Sequence, residues 1–172
     1  MVGRGVAAPR LLFICTGNAT RSVIAEAIVR RERPEWPVYS AGTRAIPGLP
    51  SSRRTLAALA SVDVSALGHR SRTLNAEHLS DADLVIAFER DHVSYIRARF
   101  PEASAYTTTL PRLLRDDSWP LPNLAFDQIH DLPEVDDPAG GDVGDFIECA
   151  RGIAYDLATL LPRLDGWAPR AE

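Results

Sequence analysis

Cys15-Thr16-Gly17-Asn18-Ala19-Thr20-Arg21-Ser22 is the stretch on which the reading of this chain turns. It follows Leu11-Leu12-Phe13-Ile14, a continuous apolar run with no period-2 alternation, which predicts a buried strand. After it, Val23, Ile24, Ala27 and Ile28 recur at helical spacing, and the pattern stops before Pro34. A thiol, a glycine, an arginine and a hydroxyl therefore share one turn between a strand and a helix. Backbone N–H groups of such a turn form an anion nest, and the following helix N-terminus adds further donors and a favourable dipole. Arg21 can grip two oxygens of a phosphate-like group at once. The same positive surroundings favour a thiolate at Cys15, and Ser22 can donate a hydrogen bond to it. A solitary cysteine is more often a small buried hydrophobe. Its place between strand and helix, with Gly17, Asn18 and Ser22 around it, points instead to a nucleophile facing a tetrahedral oxyanion.

Working outward, Trp36 to Ser40 reads as a second short strand, followed by the small turn Ala41-Gly42-Thr43. Residues 44–50 form a Pro/Gly loop, and Ser51 opens a helix with Leu56, Leu59 and Val62 on one face. Asp83 to Phe88 is the clearest buried strand after the first, and Glu89 to Phe100 reads as a helix closed by Pro101. Ala105 to Thr109 suggests a fourth strand, with a short helix around Leu110–Arg115. Residues 116–142, rich in proline and aspartate, read as one long surface loop, and loops of that length are often functional. Phe146, Ala150, Ile153, Leu157, Leu160 and Leu164 set the strongest helical pattern, from about Val143 to Leu164. Strands alternating with helices predict an α/β fold whose parallel sheet is covered on both faces. Ligands of such sheets bind at the carboxyl ends of strands, where Cys15 falls.

The 172 residues suit a single domain at 10–165, between a loose tail at 1–9 and a C-terminal tail at 166–172. A net charge of −4 argues against a broad nucleic-acid-binding surface. No apolar stretch approaches the length of a membrane span or of a signal-peptide core. Two cysteines, Cys15 and Cys149, make no disulfide framework and fit a reducing compartment, so the expected location is the cytoplasm. Cys149, beside core positions of the last helix, reads as a packed thiol. His78, His92 and His130 show no metal spacing, and neither a metal nor another cofactor is called for.

In this context the chain resembles the low-molecular-weight protein tyrosine phosphatases, whose fold the thioredoxin- and mycothiol-type arsenate reductases share. The likeness rests on Cys-x5-Arg-Ser after the first strand, Ser40-Ala41-Gly42-Thr43, His69-Arg70-Ser71-Arg72, Asp83-Leu84-Val85-Ile86 and Asp137-Pro138, in the family's order and rough spacing. It implies a three-layer αβα fold with a four-stranded parallel sheet. It implies also that Cys15 is the nucleophile, that Thr16, Gly17, Asn18, Ala19, Thr20, Arg21 and Ser22 form the phosphate-binding loop, and that Asp137 is the general acid, with Asp136 its rival. Asn18, in a left-handed conformation, would be tied to Ser40 and His69. The implied activity is hydrolysis of phosphomonoesters, on a phosphorylated protein (phosphotyrosine by default) or a small phosphoester, through a thiophosphoryl-cysteine.

Three departures from the family pattern qualify that expectation. Thr20 stands where many members carry a second cysteine, so the local disulfide that protects an oxidised nucleophile is lacking; peroxide should take Cys15 to the sulfenic acid and beyond. Ala139 and the aromatic-free stretch 44–50 remove the rings that usually wall the cleft. Ala19 replaces the Ile of phosphotyrosine enzymes and the Thr of phosphoarginine enzymes, leaving extra room at the pocket floor. Two other readings stay open at this point. One is arsenate reduction with an external low-molecular-weight thiol, since no cysteine lies between residues 16 and 148. The other is a non-catalytic module that binds phosphorylated ligands.

Overall fold

The computed structural model describes residues 8–115 and 121–167. Four strands, β1 (Leu11–Cys15), β2 (Val38–Gly42), β3 (Leu84–Ala87) and β4 (Thr107–Thr109), form one parallel sheet in the order β2-β1-β3-β4. The helices are α1 (Arg21–Glu32), α2 (Arg53–Ser61), α3 (Ala76–Ser80), α4 (Arg90–Arg99), α5 (Leu110–Arg115) and α6 (Val143–Leu164). The sheet has the expected strands and helices on both faces. Most of the tails expected at 1–9 and 166–172, and the first residues of the 116–142 loop, lie outside the described residues; Trp167 packs against the main core.

Both faces of β1 are buried, which explains its unbroken apolar run. Leu11, Phe13 and Cys15 join the cluster made with α1, α2, α5 and α6, whereas Leu12 and Ile14 join the cluster on the α3 and α4 side. The amphipathic α6 closes the first cluster with Phe146, Ala150, Ile153, Leu157, Leu160 and Leu164, all buried. At the other end of the sheet, the buried Asp83 accepts from Arg10 N at 2.8 Å and from Arg10 Nη2 at 2.9 Å, pinning the starts of β1 and β3 together. The chain leaves β1 toward β2 on one side and later fills β3 on the other. The switch point of the sheet is thus at β1, with Cys15 at its carboxyl end.

The structure departs from the expected elements at β2 and before β4, and adds the short α3. β2 starts at Val38, not Trp36, because Pro37 has no N–H to donate; its carbonyl instead accepts from Leu11 N at 2.9 Å, and the strand runs on through Gly42. The segment 101–106 is a 3-10 turn that shortens β4, and two further 3-10 turns, Leu124–Phe126 and Ile129–Asp131, punctuate the long loop.

Candidate active site

The loop after β1 closes where the sequence places it. Cys15 is 3% exposed, and its Sγ lies 3.0 Å from Ser22 Oγ, across the full width of the turn. Asn18 takes φ 50°, the left-handed conformation that Asn tolerates. It is fully buried and its side chain is fully engaged. Nδ2 donates to Ser22 Oγ at 3.0 Å and to Ser40 Oγ at 2.8 Å, and Oδ1 accepts from Arg72 N at 2.8 Å. The Asn18 carbonyl accepts from His69 Nε2 at 2.8 Å. Because Ser22 Oγ already accepts from Asn18, its own proton is free to point at Cys15 Sγ. Ser40 Oγ donates onward to Glu26 Oε2 at 2.5 Å. Ser40 and His69 therefore stand beside Asn18 as expected, and Glu26, a buried acid on α1, extends the network.

β2 shapes the loop from outside. Thr43 N donates to the Cys15 carbonyl at 3.0 Å and Arg44 N to the Thr16 carbonyl at 2.9 Å. The two chains approach so closely at Gly42 that a Cβ there would stand 2.6 Å from Thr16 O and 2.7 Å from Asn18 N. Only glycine fits this contact without displacing the loop. On the far side, the buried Thr55 of α2 donates to the Ala19 carbonyl at 3.0 Å and meets Thr20 Oγ1 at 3.0 Å. Thr20 thus holds α2 where a second cysteine would otherwise sit. The Ala19 side chain is exposed.

Arg21 opens α1, a twelve-residue helix with no acidic residue in its first turn and no side-chain cap from Thr20, so its positive end is left uncompensated. The Arg21 side chain is only 2% exposed. It is held by Glu89 Oε2 at 2.7 Å, Asp137 Oδ2 at 2.8 Å and the Val135 carbonyl at 2.8 Å, with the Phe88 ring centroid 5.9 Å from its guanidinium carbon. Both rival acids are exposed, and Asp137 is the one joined to the arginine. His92, to which the sequence assigned nothing, comes into the site from α4. Its Nδ1 accepts from Glu89 N at 3.1 Å, so Nε2 carries the proton and lies 2.9 Å from Thr16 Oγ1 and 3.2 Å from Glu89 Oε2. Burial, and then the Arg21 charge, push its pKa down to about 4, so the ring is neutral at pH 7 and its contact with Glu89 is a hydrogen bond rather than an ion pair. Cys149 lies near enough to feel the charges of Arg21, Asp137 and Cys15, but burial is the main influence and raises its thiol to about 11.

Glu26, Thr55, Glu89 and His92 escaped sequence reasoning: Thr55, Glu89 and His92 lie far along the chain from the loop they support, and Glu26, close by on α1, reaches it only through Ser40 of β2. The only local signal was at Glu89 and His92, a three-residue spacing at a helix start.

Comparison with known proteins gives the same picture. A sequence model of the family described as low molecular weight phosphotyrosine protein phosphatase matches residues 10–167. A protein-arginine-phosphatase of Geobacillus stearothermophilus is 33% identical over 156 residues, spanning 90% of this chain and 93% of its own length. The low molecular weight protein-tyrosine-phosphatase Etp of Escherichia coli (strain K12) is 31% identical over 128 residues, 72% of this chain and 86% of that one. Among solved structures, the YwlE arginine phosphatase from Geobacillus stearothermophilus superposes with a TM-score of 0.78 at 29% identity, covering 91% of this chain and 92% of the other. Among the described residues no helix is long and apolar enough to cross a membrane. The likeness extends over the whole sheet and both helical layers, and with it the chain belongs to the low molecular weight phosphotyrosine protein phosphatase family, a family of hydrolases.

Proposed function

We propose that this phosphatase cleaves phosphomonoesters in two displacements at Cys15. The sulfur attacks phosphorus in line, the bond from phosphorus to the leaving oxygen breaks, and Asp137 gives that oxygen its proton. Asp137 then takes a proton from water as the water attacks the thiophosphoryl group, and the P–S bond breaks to return thiolate and phosphate. The loop N–H groups from Thr16 to Ser22, with Arg21, hold the three equatorial oxygens throughout. Ser22 steadies the sulfur, and Asn18, Ser40 and His69 hold the loop in shape.

The observation that carries this reading is the Arg21–Asp137 pair at 2.8 Å beside a cysteine whose Sγ is 3.0 Å from Ser22 Oγ. Cys15 and Arg21 come from one loop, and Asp137 reaches the same arginine from more than a hundred residues further along the chain. A phosphorylated protein is the proposed partner, in the cytoplasm, which two unpaired cysteines suit.

Phosphotyrosine is the default substrate. A specific feature favours phosphoarginine as the second reading: the cleft of about 530 Å³ beside Asp137 is also lined by Asp136, Asp145 and Glu148, carboxylates suited to a guanidinium group. The relative of Geobacillus stearothermophilus is named for that substrate. The deciding experiment runs wild type and Cys15→Ser in parallel on p-nitrophenyl phosphate, phosphotyrosine peptide and phosphoarginine. Cys15→Ser should lose about a thousandfold or more in kcat on every substrate that the wild type turns over. Undiminished turnover in that variant would remove Cys15 from the reaction.

A further inference from the structure

A second cavity, of about 480 Å³, opens between α1 and the segment that carries His69 and Arg72. None of Cys15, Arg21 and Asp137 lines it. Its walls hold three arginines, Arg30, Arg70 and Arg72, against a single carboxylate, Glu26. That carboxylate is shared: Arg30 Nη2 lies 2.8 Å from one oxygen and Arg72 Nη2 3.2 Å from the other. The Arg70 guanidinium bonds only the neighbouring His69 carbonyl among the contacts described, and the buried Arg72 Nε has no hydrogen-bond partner among the described residues. On a chain of net charge −4, this is a concentrated excess of positive charge with unused donors, in a concavity large enough for a ligand.

The cavity also shares its walls with the active-site network. Glu26 accepts from Ser40 Oγ, and Ser40 accepts from Asn18. His69 donates to the Asn18 carbonyl, and the Arg72 backbone N–H donates to Asn18 Oδ1. Three residues of the cavity thus end within one or two hydrogen bonds of Asn18, the residue whose positive φ sets the turn that carries Cys15.

We propose that this cavity is a second, non-catalytic site for a phosphoryl oxyanion, coupled through Glu26, Arg72 and His69 to the phosphate-binding loop. An anion seated on Arg30, Arg70 and Arg72 competes with Glu26 for the same guanidinium groups. It draws Arg72 from Glu26, and the loop registers the change through Asn18. Val23 and Ala27 supply an apolar wall, which suits a phosphate carried on a small organic group as well as free phosphate.

The test first fills the catalytic loop by carboxymethylating Cys15 with iodoacetate. The alkylated full chain is then titrated with inorganic phosphate and, separately, with O-phosphoserine, while backbone amide resonances are followed by NMR. Saturable shifts are expected at His69, Arg70 and Arg72 and at Asn18, with binding weakened by about tenfold or more in the Arg30→Ala, Arg70→Ala double variant. Neither altered side chain bonds a loop residue; if the double variant fails to fold, the exposed Arg70→Gln alone replaces it. Saturation by phosphate alone makes free phosphate the ligand, and saturation by phosphoserine makes it a phosphomonoester; both support the site. No saturable shift with either probe, or shifts undiminished in the variant, overturns it. A cavity that fills without moving the Asn18 amide overturns the coupling. None of these readouts depends on turnover, so they stand or fall separately from the catalytic reading.

Discussion

The loop around Cys15 and the loop around Asp137 face one another and are built in opposite ways. The first is held from four directions, by β2, α1, α2 and the His69–Arg72 segment, through buried donors and acceptors that are matched in direction. The second lies on the surface. Its hold on the rest of the chain comes from Val135 N to the Phe88 carbonyl at 2.8 Å, Arg90 N to Glu134 Oε1 at 2.8 Å, Arg21 to the Val135 carbonyl and Arg54 to the Gly141 carbonyl, together with the Arg21–Asp137 ion pair. Asp137 is 38% exposed, whereas Arg21 is 2% exposed. The difference teaches where adjustment is permitted. In the proposed mechanism the sulfur and the loop around it are set before a ligand arrives, while Asp137 shifts from Arg21 to the leaving group and back.

Four measurements sharpen that contrast. The largest effect is expected on the surface side, from Asp137→Asn. With an alkyl phosphate, whose leaving oxygen needs a proton, kcat should fall by about a hundredfold to a thousandfold. With p-nitrophenyl phosphate the fall should be much smaller, and equal losses on both substrates would assign Asp137 to binding instead. Next comes the joint between the loops, His92. Its folded pKa of about 4 lies below the ordinary 6.5, so between those values the unfolded chain binds a proton that the folded chain refuses. The stabilisation by neutral His92 is complete above pH 6.5 and is lost as pH falls toward 4. It amounts to roughly 3 kcal/mol. Denaturant melts across this window should steepen downward with acid in the wild type and flatten in His92→Asn; parallel curves would break the assignment.

On the buried side, Asn18→Ala leaves Ser40, Ser22 and the Arg72 N–H without their shared partner and forces alanine into a positive φ. A loss of about 2 kcal/mol in stability is expected, with kcat/KM falling as the loop loses its shape. Full activity at reduced stability would show that the turn survives without its anchor. The smallest effect is a gain. Ala139→Trp should restore one aromatic wall on the exposed loop and lower KM for aryl phosphates by several-fold, about 1 kcal/mol, without touching alkyl phosphates. A matching gain on both substrate classes would point to general tightening of the loop.

How far the chain could be read from its letters follows the same division. The Cys15 loop was legible because strand, turn and helix are contiguous, and so was α6, whose apolar positions repeat from Phe146 to Leu164. β2 was misplaced by two residues because Trp36 looks like a strand residue while the missing donor at Pro37 decides the matter. α3, capped by Asn75 through His78 N at 2.9 Å, escaped notice because five residues are too few to show a period. Asp137 was preferred to Asp136 through its place before Pro138, but the contact with Arg21 that distinguishes it lies in the third dimension. Glu26 carries no motif, and the Glu89–His92 spacing marks only a helix start; what matters in both residues is a partner supplied by another element.

Gly42 has a consequence of its own. The bore of the proposed phosphate cradle is gauged by a residue on β2, because the strand's end presses directly on the backbone of Thr16 and Asn18. Widening the mouth for a different tetrahedral anion is therefore a two-part problem. Changes among residues 16–20 alter what lines the opening, but its calibre is cast by the neighbouring strand, and a single methyl group added there would deform the cradle from behind.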